Sequence, residues 1–178
     1  MLVYSMMHII SNRLPITIRD GRVTYSNGGL VRLWNSHLSM KDNPLPGKWF
    51  GVDVSMNHFD ELDSNYQFHL EPLIISKSDY HEFYNQFSNS TLWLLLHGFS
   101  HLFKLPSKKS WSVYQSTNEL MASLVDSKAQ PNDYVIINDY HFFLLPQLLK
   151  QKRMRYLMQL LTLHYLESSQ CLSILILQ

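Results

Sequence analysis

The chain has 178 residues, 46% of them apolar, enough to bury a substantial core in one domain. Fifteen basic residues stand against fourteen acidic ones, so no charge excess points to nucleic acid or an anionic membrane. A single cysteine, Cys171, excludes an internal disulfide and fits a reducing compartment.

Met1 to Ile10 lack the basic start and cleavage pattern of a secretory signal. The most apolar stretch, Leu157 to Leu177, is interrupted by His164, Glu167, Ser168, Ser169 and Gln170, so it falls short of a membrane span. A soluble, cytoplasmic protein is the expectation.

Val3 to Ile10 reads as a first strand, closed by a polar loop, Ser11-Asn12-Arg13-Leu14-Pro15. Ile16 to Arg19 and Arg22 to Tyr25 flank Asp20-Gly21, a dipeptide suited to the positive φ angles of a tight hairpin turn. Gly28-Gly29 then opens a run with helical spacing (Leu30, Val31, Leu33, Trp34, Leu38). Backbone N–H groups at such an opening can approach an anion, though on the residues alone a flexible hairpin exit is the favoured reading of the two glycines.

Beyond the loop Asn43-Pro44-Leu45-Pro46-Gly47, strands are expected over Lys48 to Val54 and Phe68 to Ile75. Pro72 marks the second as an edge or bulged strand. Ser78 is a candidate cap for a helix from Asp79 through Phe87, with Ser88-Asn89-Ser90 breaking or re-capping it before Thr91 to His97. Ser110 to Ser127 reads as a helix with Trp111, Tyr114, Leu120, Met121, Leu124 and Val125 as core contacts.

Tyr134 to Ile137 is a short β-branched run, expected as a parallel strand buried on both faces. It ends abruptly in Asn138-Asp139-Tyr140-His141, after which Pro146 suits the first turn of a new helix. Strands alternating with helices argue an α/β layered fold, and a polar strand end is where such sheets bind ligands.

Metal chemistry has little support. His97 and His101 have i,i+4 spacing, but Gly98 lies between them and no further ligands follow a zinc pattern. There is no Gly-x-Ser-x-Gly, and Cys171 has no evident histidine partner. Trp49, Tyr84, Trp93 and Trp111 each read first as core residues, although aromatics beside Asp139 would also suit a sugar.

Several strings taken together go further. Ser11-Asn12-Arg13-Leu14-Pro15, Tyr25-Ser26-Asn27-Gly28-Gly29-Leu30-Val31 and Trp49-Phe50-Gly51 occur in that order. Phe87-Ser88-Asn89-Ser90-Thr91-Leu92-Trp93 with His97, Trp111-x-x-Tyr114-x-x-x-Asn118, and Asp139-Tyr140-His141 with Leu145-Pro146 follow. In content and order these resemble the trehalose-6-phosphate synthase family.

The resemblance implies a Rossmann-like N-terminal domain of a GT-B glycosyltransferase, with the active site in a cleft between two halves. The implied reaction passes glucose from UDP-glucose to glucose 6-phosphate with retention, using neither metal nor cofactor. No nucleic-acid or membrane partner is implied, and homo-oligomers are compatible with the full-length family. Residue by residue, Arg13 would grip the acceptor phosphate. Trp49, Tyr84 and Trp93 would line the acceptor pocket, and Gly28 and Gly29 would approach the donor diphosphate. Asp139 would hold acceptor hydroxyls and orient the attacking oxygen, which is positioning chemistry.

The sequence departs from the family pattern in places. Asn138 stands where the family has histidine, and Leu94 follows Trp93 in place of proline. After Lys150 the family's next strand motif is absent, and His164 near its expected place carries no role over. The expected organisation is therefore residues 1–150 as an acceptor-side domain and 151–178 as an aberrant or incomplete tail, as after a frameshift, with no donor domain. On that expectation Cys171 to Leu177 is a β-prone, uncharged aggregation hazard. Such a chain would be inactive alone; the alternative is a non-catalytic module that binds a sugar phosphate or a partner.

Overall fold

Among the described residues there are eight strands, in chain order β1 (Met7–Arg13), β2 (Ile16–Arg19), β3 (Arg22–Tyr25), β4 (Gly47–Asp53), β5 (Phe68–Ile74), β6 (Tyr134–Asn138), β7 (Arg155–Leu160) and β8 (Ser173–Leu175). The computed structural model describes residues 6–19, 22–26, 31–32, 47–55, 68–150, 155–160 and 173–175. Expectations for the Asp20-Gly21 turn, Gly28, Gly29, the helix beyond Arg32, His164 and Cys171 lie outside those residues.

Six strands form one sheet in the order β5-β4-β1-β6-β7-β8. All pairings are parallel except β7 with β8. The chain builds outward from β1 to β4 and β5, then crosses to β6 and β7 on the other side. That reversal places a topological switch point between β1 and β6, where doubly wound sheets bind ligands at the strands' carboxyl ends. β2 and β3 pair as the expected hairpin, with Ile16 opposite Tyr25 and Arg19 opposite Arg22.

The apolar runs are continuous because the central strands are covered on both faces. Ile10, Phe50, Val135 and Ile137 pack on one side with Phe83, Phe87, Tyr114, Met121, Val125, Phe142 and Leu149. Ile9, Trp49 and Ile136 alternate to the other side, under Leu14, Ile16 and Val31. Each large side chain buried this way contributes roughly 1.5–3 kcal/mol. Pro72 sits on β5, the sheet's edge, where a missing backbone donor is tolerated.

Three helical segments build the first face. The first, α1, starts as an α-turn at Lys77–Tyr80, continues as a wide π-helical run over His81–Trp93 and closes at Leu94–Leu96. Its cap is Ser76 rather than Ser78, through a 2.9 Å bond from the Asp79 N–H. The expected break at Ser88-Asn89-Ser90 does not occur. The hydroxyls of Ser88 and Ser90 donate at 2.8 Å to the carbonyls of Phe83 and Asn85, five residues back, so the polar cluster is satisfied inside the helix.

α2 (Lys108–Lys128) is capped by Ser107 and buries Tyr114, Met121 and Val125, while Trp111 and Leu120 lie on its exposed side. α3 (Leu145–Lys150) follows β6 with Pro146 in its first turn. The sheet continues past Lys150, because β7 adds to β6 in parallel, Tyr134 opposite Arg155 through Asn138 opposite Gln159. No described helix is long and apolar enough to cross a membrane.

Candidate functional site

The switch point gathers polar side chains from β1, β6 and α1. Ser11, Asn12 and Arg13, expected as loop, are the last residues of β1. β1 carries one extra residue there, since Ile10 faces Phe50 while Arg13 faces Val52. Ser11 is consumed structurally: it accepts the Trp49 indole N–H at 2.8 Å and donates to the Arg13 carbonyl at 2.6 Å. Asn12 Nδ2 and Arg13 Nε both donate to the Tyr80 hydroxyl, at 3.2 and 3.3 Å.

The Arg13 guanidinium lies 5.2 Å from the centre of the Tyr84 ring, a cation–π distance. The Tyr80 hydroxyl that accepts from Arg13 holds its pKa above the usual arginine value, so the group stays charged. Among the described residues no carboxylate pairs with it. Gly51 lets the two strands meet here: a Cβ on it would fall 2.6 Å from the Leu14 nitrogen and 2.7 Å from the Arg13 carbonyl carbon.

Four rings form a column beside this cation. Tyr80 stacks on Tyr84 at 5.2 Å, Tyr84 on His141 at 5.4 Å and His141 on Tyr140 at 4.3 Å. Tyr140 and His141 belong to a single 3-10 turn, Tyr140–Phe142, directly after β6. α2 holds that turn from below. The Tyr114 hydroxyl donates to the Tyr140 carbonyl at 2.8 Å and accepts the Phe143 N–H at 3.1 Å. Asn118 Nδ2 donates to the His141 carbonyl at 3.3 Å. The Tyr140 hydroxyl donates to Asn89 of α1 at 2.9 Å, fixing the column's other end.

Asp139 connects β6 to this turn with φ 73° and ψ 170°, a region that residues other than glycine rarely adopt. Such a conformation costs about 1–3 kcal/mol and persists at sites where the surroundings over-determine it. Its Oδ1 accepts the Tyr140 N–H at 2.8 Å, while Oδ2 lies 3.7 Å from His141 Nδ1. Burial pushes its carboxyl up to about 6, against the pull of the Tyr140 N–H and of nearby His97. Burial, with Arg13 close by, pushes the His141 imidazole down to about 3, so it is neutral at pH 7.

Buried polar atoms concentrate here without hydrogen-bond partners: Asn12 Oδ1, Asn138 Oδ1 and both His141 ring nitrogens. Asn138, where the resemblance expects histidine, ties the central strands by donating from Nδ2 to the Ile10 carbonyl at 3.1 Å. No group of three or more metal-ligating side chains occurs among the described residues.

The expected site residues therefore divide. Arg13, Tyr84 and Asp139 are linked through Tyr80 and His141. Trp93 lies at the open end of α1, 36% exposed and stacked at 4.3 Å on His97, the histidine whose charge acts on Asp139. Trp49, expected to line the pocket, is fully buried in the second core cluster with its N–H given to Ser11. Gly28 and Gly29 lie outside the described residues. Tyr80, Asn12 and His141 join the site unexpectedly; the i,i+4 spacing of Tyr80 and Tyr84 beside a strand-end arginine was the available signal.

The doubly wound sheet has the Rossmann-like α/β fold of the GT-B glycosyltransferases, the fold of the solved structures it resembles. The chain matches the description "Glycosyltransferase family 20" over residues 5–166 and belongs to that family. It is 35% identical over 153 residues to a bifunctional trehalose-6-phosphate synthase/phosphatase of Thermoproteus tenax, covering 80% of this chain and 21% of the relative. It is 32% identical over 157 residues to an alpha,alpha-trehalose-phosphate synthase [UDP-forming] A of Dictyostelium discoideum, covering 82% of this chain and 20% of the relative. A solved structure described as trehalose-6-phosphate from E. coli bound with UDP-2-fluoro glucose is 25% identical, with a TM-score of 0.66. That match covers 85% of this chain and 32% of the other. The chain thus spans about a fifth of the two curated relatives and a third of the solved chain.

Proposed function

We propose that these residues form the acceptor-side wall of a UDP-forming trehalose-6-phosphate synthase, which passes glucose from UDP-glucose to glucose 6-phosphate. The observation that carries this reading is the Arg13 guanidinium, fixed by Tyr80 and Tyr84 at the switch point with no carboxylate partner among the described residues. A charged fork held open in this way suits a phosphate. Asp139, on the adjacent strand end, would receive the sugar hydroxyls, with the ring edges of Tyr84 and Trp93 at its rim, since Tyr84 is stacked on Tyr80 and His141 and Trp93 on His97 and Phe99. Gly28 and Gly29 are proposed to bring backbone N–H groups to the donor diphosphate.

The chemistry asked of this wall is positioning: it holds the acceptor oxygen in line and keeps water away, while the departing diphosphate needs cations of its own. Because the sequence spans a fifth to a third of its relatives, turnover is proposed for the assembled enzyme, with acceptor binding as the property of these residues. A cytoplasmic location belongs to the same proposal, resting on the single cysteine.

Isothermal calorimetry of the chain with glucose 6-phosphate tests it. Expected is binding that weakens at least tenfold in Arg13→Ala and falls to a similar degree when glucose replaces glucose 6-phosphate. Equal affinities for the two sugars would remove the phosphate role from Arg13.

A further inference from the structure

We propose that His141 is a positioning residue for Asp139: a neutral imidazole that presents its Nδ1–H to Oδ2 and holds the carboxylate toward the cleft. The inference deepens the acceptor reading above and rests on it for its consequence in binding, while the His141–Asp139 pair stands on its own geometry.

His141 is buried and clamped on both faces, by Tyr84 at 5.4 Å and Tyr140 at 4.3 Å, so its ring plane is fixed. Neither ring nitrogen has a hydrogen-bond partner. Asp139 uses Oδ1 on the Tyr140 N–H, which leaves Oδ2 facing His141 Nδ1 across 3.7 Å. That gap is too long for a hydrogen bond and closes to one with a shift of under about 1 Å. A carboxylate oxygen facing an imidazole lone pair would be repelled, so the proton belongs on Nδ1 and the lone pair on Nε2. The groups sharing this environment are His97 and Tyr84 from α1, Arg13 from β1 and Tyr140 from the turn. None of these combines an unused N–H with a ring locked against Asp139, as His141 does.

The role has two separable parts, the ring stack and the donor. His141→Phe keeps the flat ring and removes the donor; His141→Asn keeps an N–H near the Nδ1 position and removes the stack. Nitrogen-15 NMR of histidine-labelled wild-type chain reads the tautomer with no sugar present. The expected signal for His141 is the neutral Nδ1–H form between pH 5 and 8, and an Nε2–H form would overturn the proposal. Carbon-13 NMR of the Asp139 carboxyl then follows its titration midpoint. Loss of the donor in His141→Phe should raise it by about one pH unit, with His141→Asn near wild type. An unchanged midpoint in His141→Phe would also overturn the proposal. Glucose 6-phosphate affinity is expected to fall several-fold in His141→Phe. A wild-type chain that binds no glucose 6-phosphate counts against the acceptor reading, and the two NMR readouts still decide the pair.

Discussion

Two histidine–aspartate pairs sit at opposite ends of the same two central strands, and they are built in opposite ways. At the amino ends, His8 Nε2 and Asp133 Oδ2 are 3.0 Å apart, and every remaining polar atom of the pair is used. His8 Nδ1 accepts the Lys48 N–H at 3.1 Å, which puts the ring proton on Nε2. Asp133 also takes the N–H groups of Met6 at 2.8 Å and Gln130 at 2.7 Å. Burial pushes the Asp133 carboxyl up, but these N–H groups and His8 outweigh it and hold it below its usual value. At the carboxyl ends, His141 and Asp139 stand 3.7 Å apart with a strained backbone and both imidazole nitrogens unpartnered. The same two residue types make a rivet at one end and an open setting at the other. A satisfied polar pair stabilises the fold, whereas an unsatisfied one costs stability and calls for another reason to be there.

Mutations can break or sharpen this contrast. The largest effect is expected from Asp133→Ala, which strands His8 and two backbone N–H groups in the interior; urea denaturation should show a loss of about 3–5 kcal/mol. Gly51→Ala comes next. Its Cβ would meet backbone at Leu14 and Arg13, so a loss of about 2–3 kcal/mol is expected, with weaker glucose 6-phosphate binding as Arg13 is displaced.

Asp139→Asn should act in the opposite sense and stabilise the chain. The folded carboxyl titrates at about 6, above its unfolded value of about 3.9, so the contribution of this one group to stability is full below pH 4 and is lost as pH rises through 6. The asparagine variant should therefore gain about 2 kcal/mol at pH 8 and almost nothing at pH 4. An equal gain at both pH values would locate the cost in the backbone angle instead of the charge. Arg13→Ala should be the mildest for the fold, within about 0.5 kcal/mol by thermal melting, because the guanidinium is exposed. Its effect belongs to the calorimeter.

The sequence revealed the sheet better than the helices. The period-two run of Ile16 to Tyr25 and the β-branched Tyr134 to Ile137 predict the strands that form, and Pro72 predicts an edge. Ser88-Asn89-Ser90 misleads because hydroxyls that compete with a helix in one geometry bond back into it in another. Trp111 fits only in part: its ring meets Phe87 at 5.2 Å but stays 39% exposed, while Tyr114 is buried. Arg13 and Asp139 are visible as strand-end polar residues, and their order along the chain carries the family likeness. Their connection through Tyr80, Tyr84 and His141 is not visible, since it depends on long-range stacking between α1 and the turn after β6. Trp49, a motif residue, packs in the second core cluster, a burial that its place in the string does not reveal.

The extra residue in β1 makes the cleft's charge a matter of counting. In an unbroken strand, neighbours point to opposite faces, and Asn12 and Arg13 could not both grip Tyr80. The insertion moves Arg13 by one step of parity while leaving Ile9 and Ile10 in register with β4 and β6. A chain one residue shorter at this point would keep the upstream core pairing and turn its cation toward the far layer. Length between Ile10 and Leu14 thus sets which layer Arg13 joins, while the pairing of Ile9 and Ile10 stays as it is.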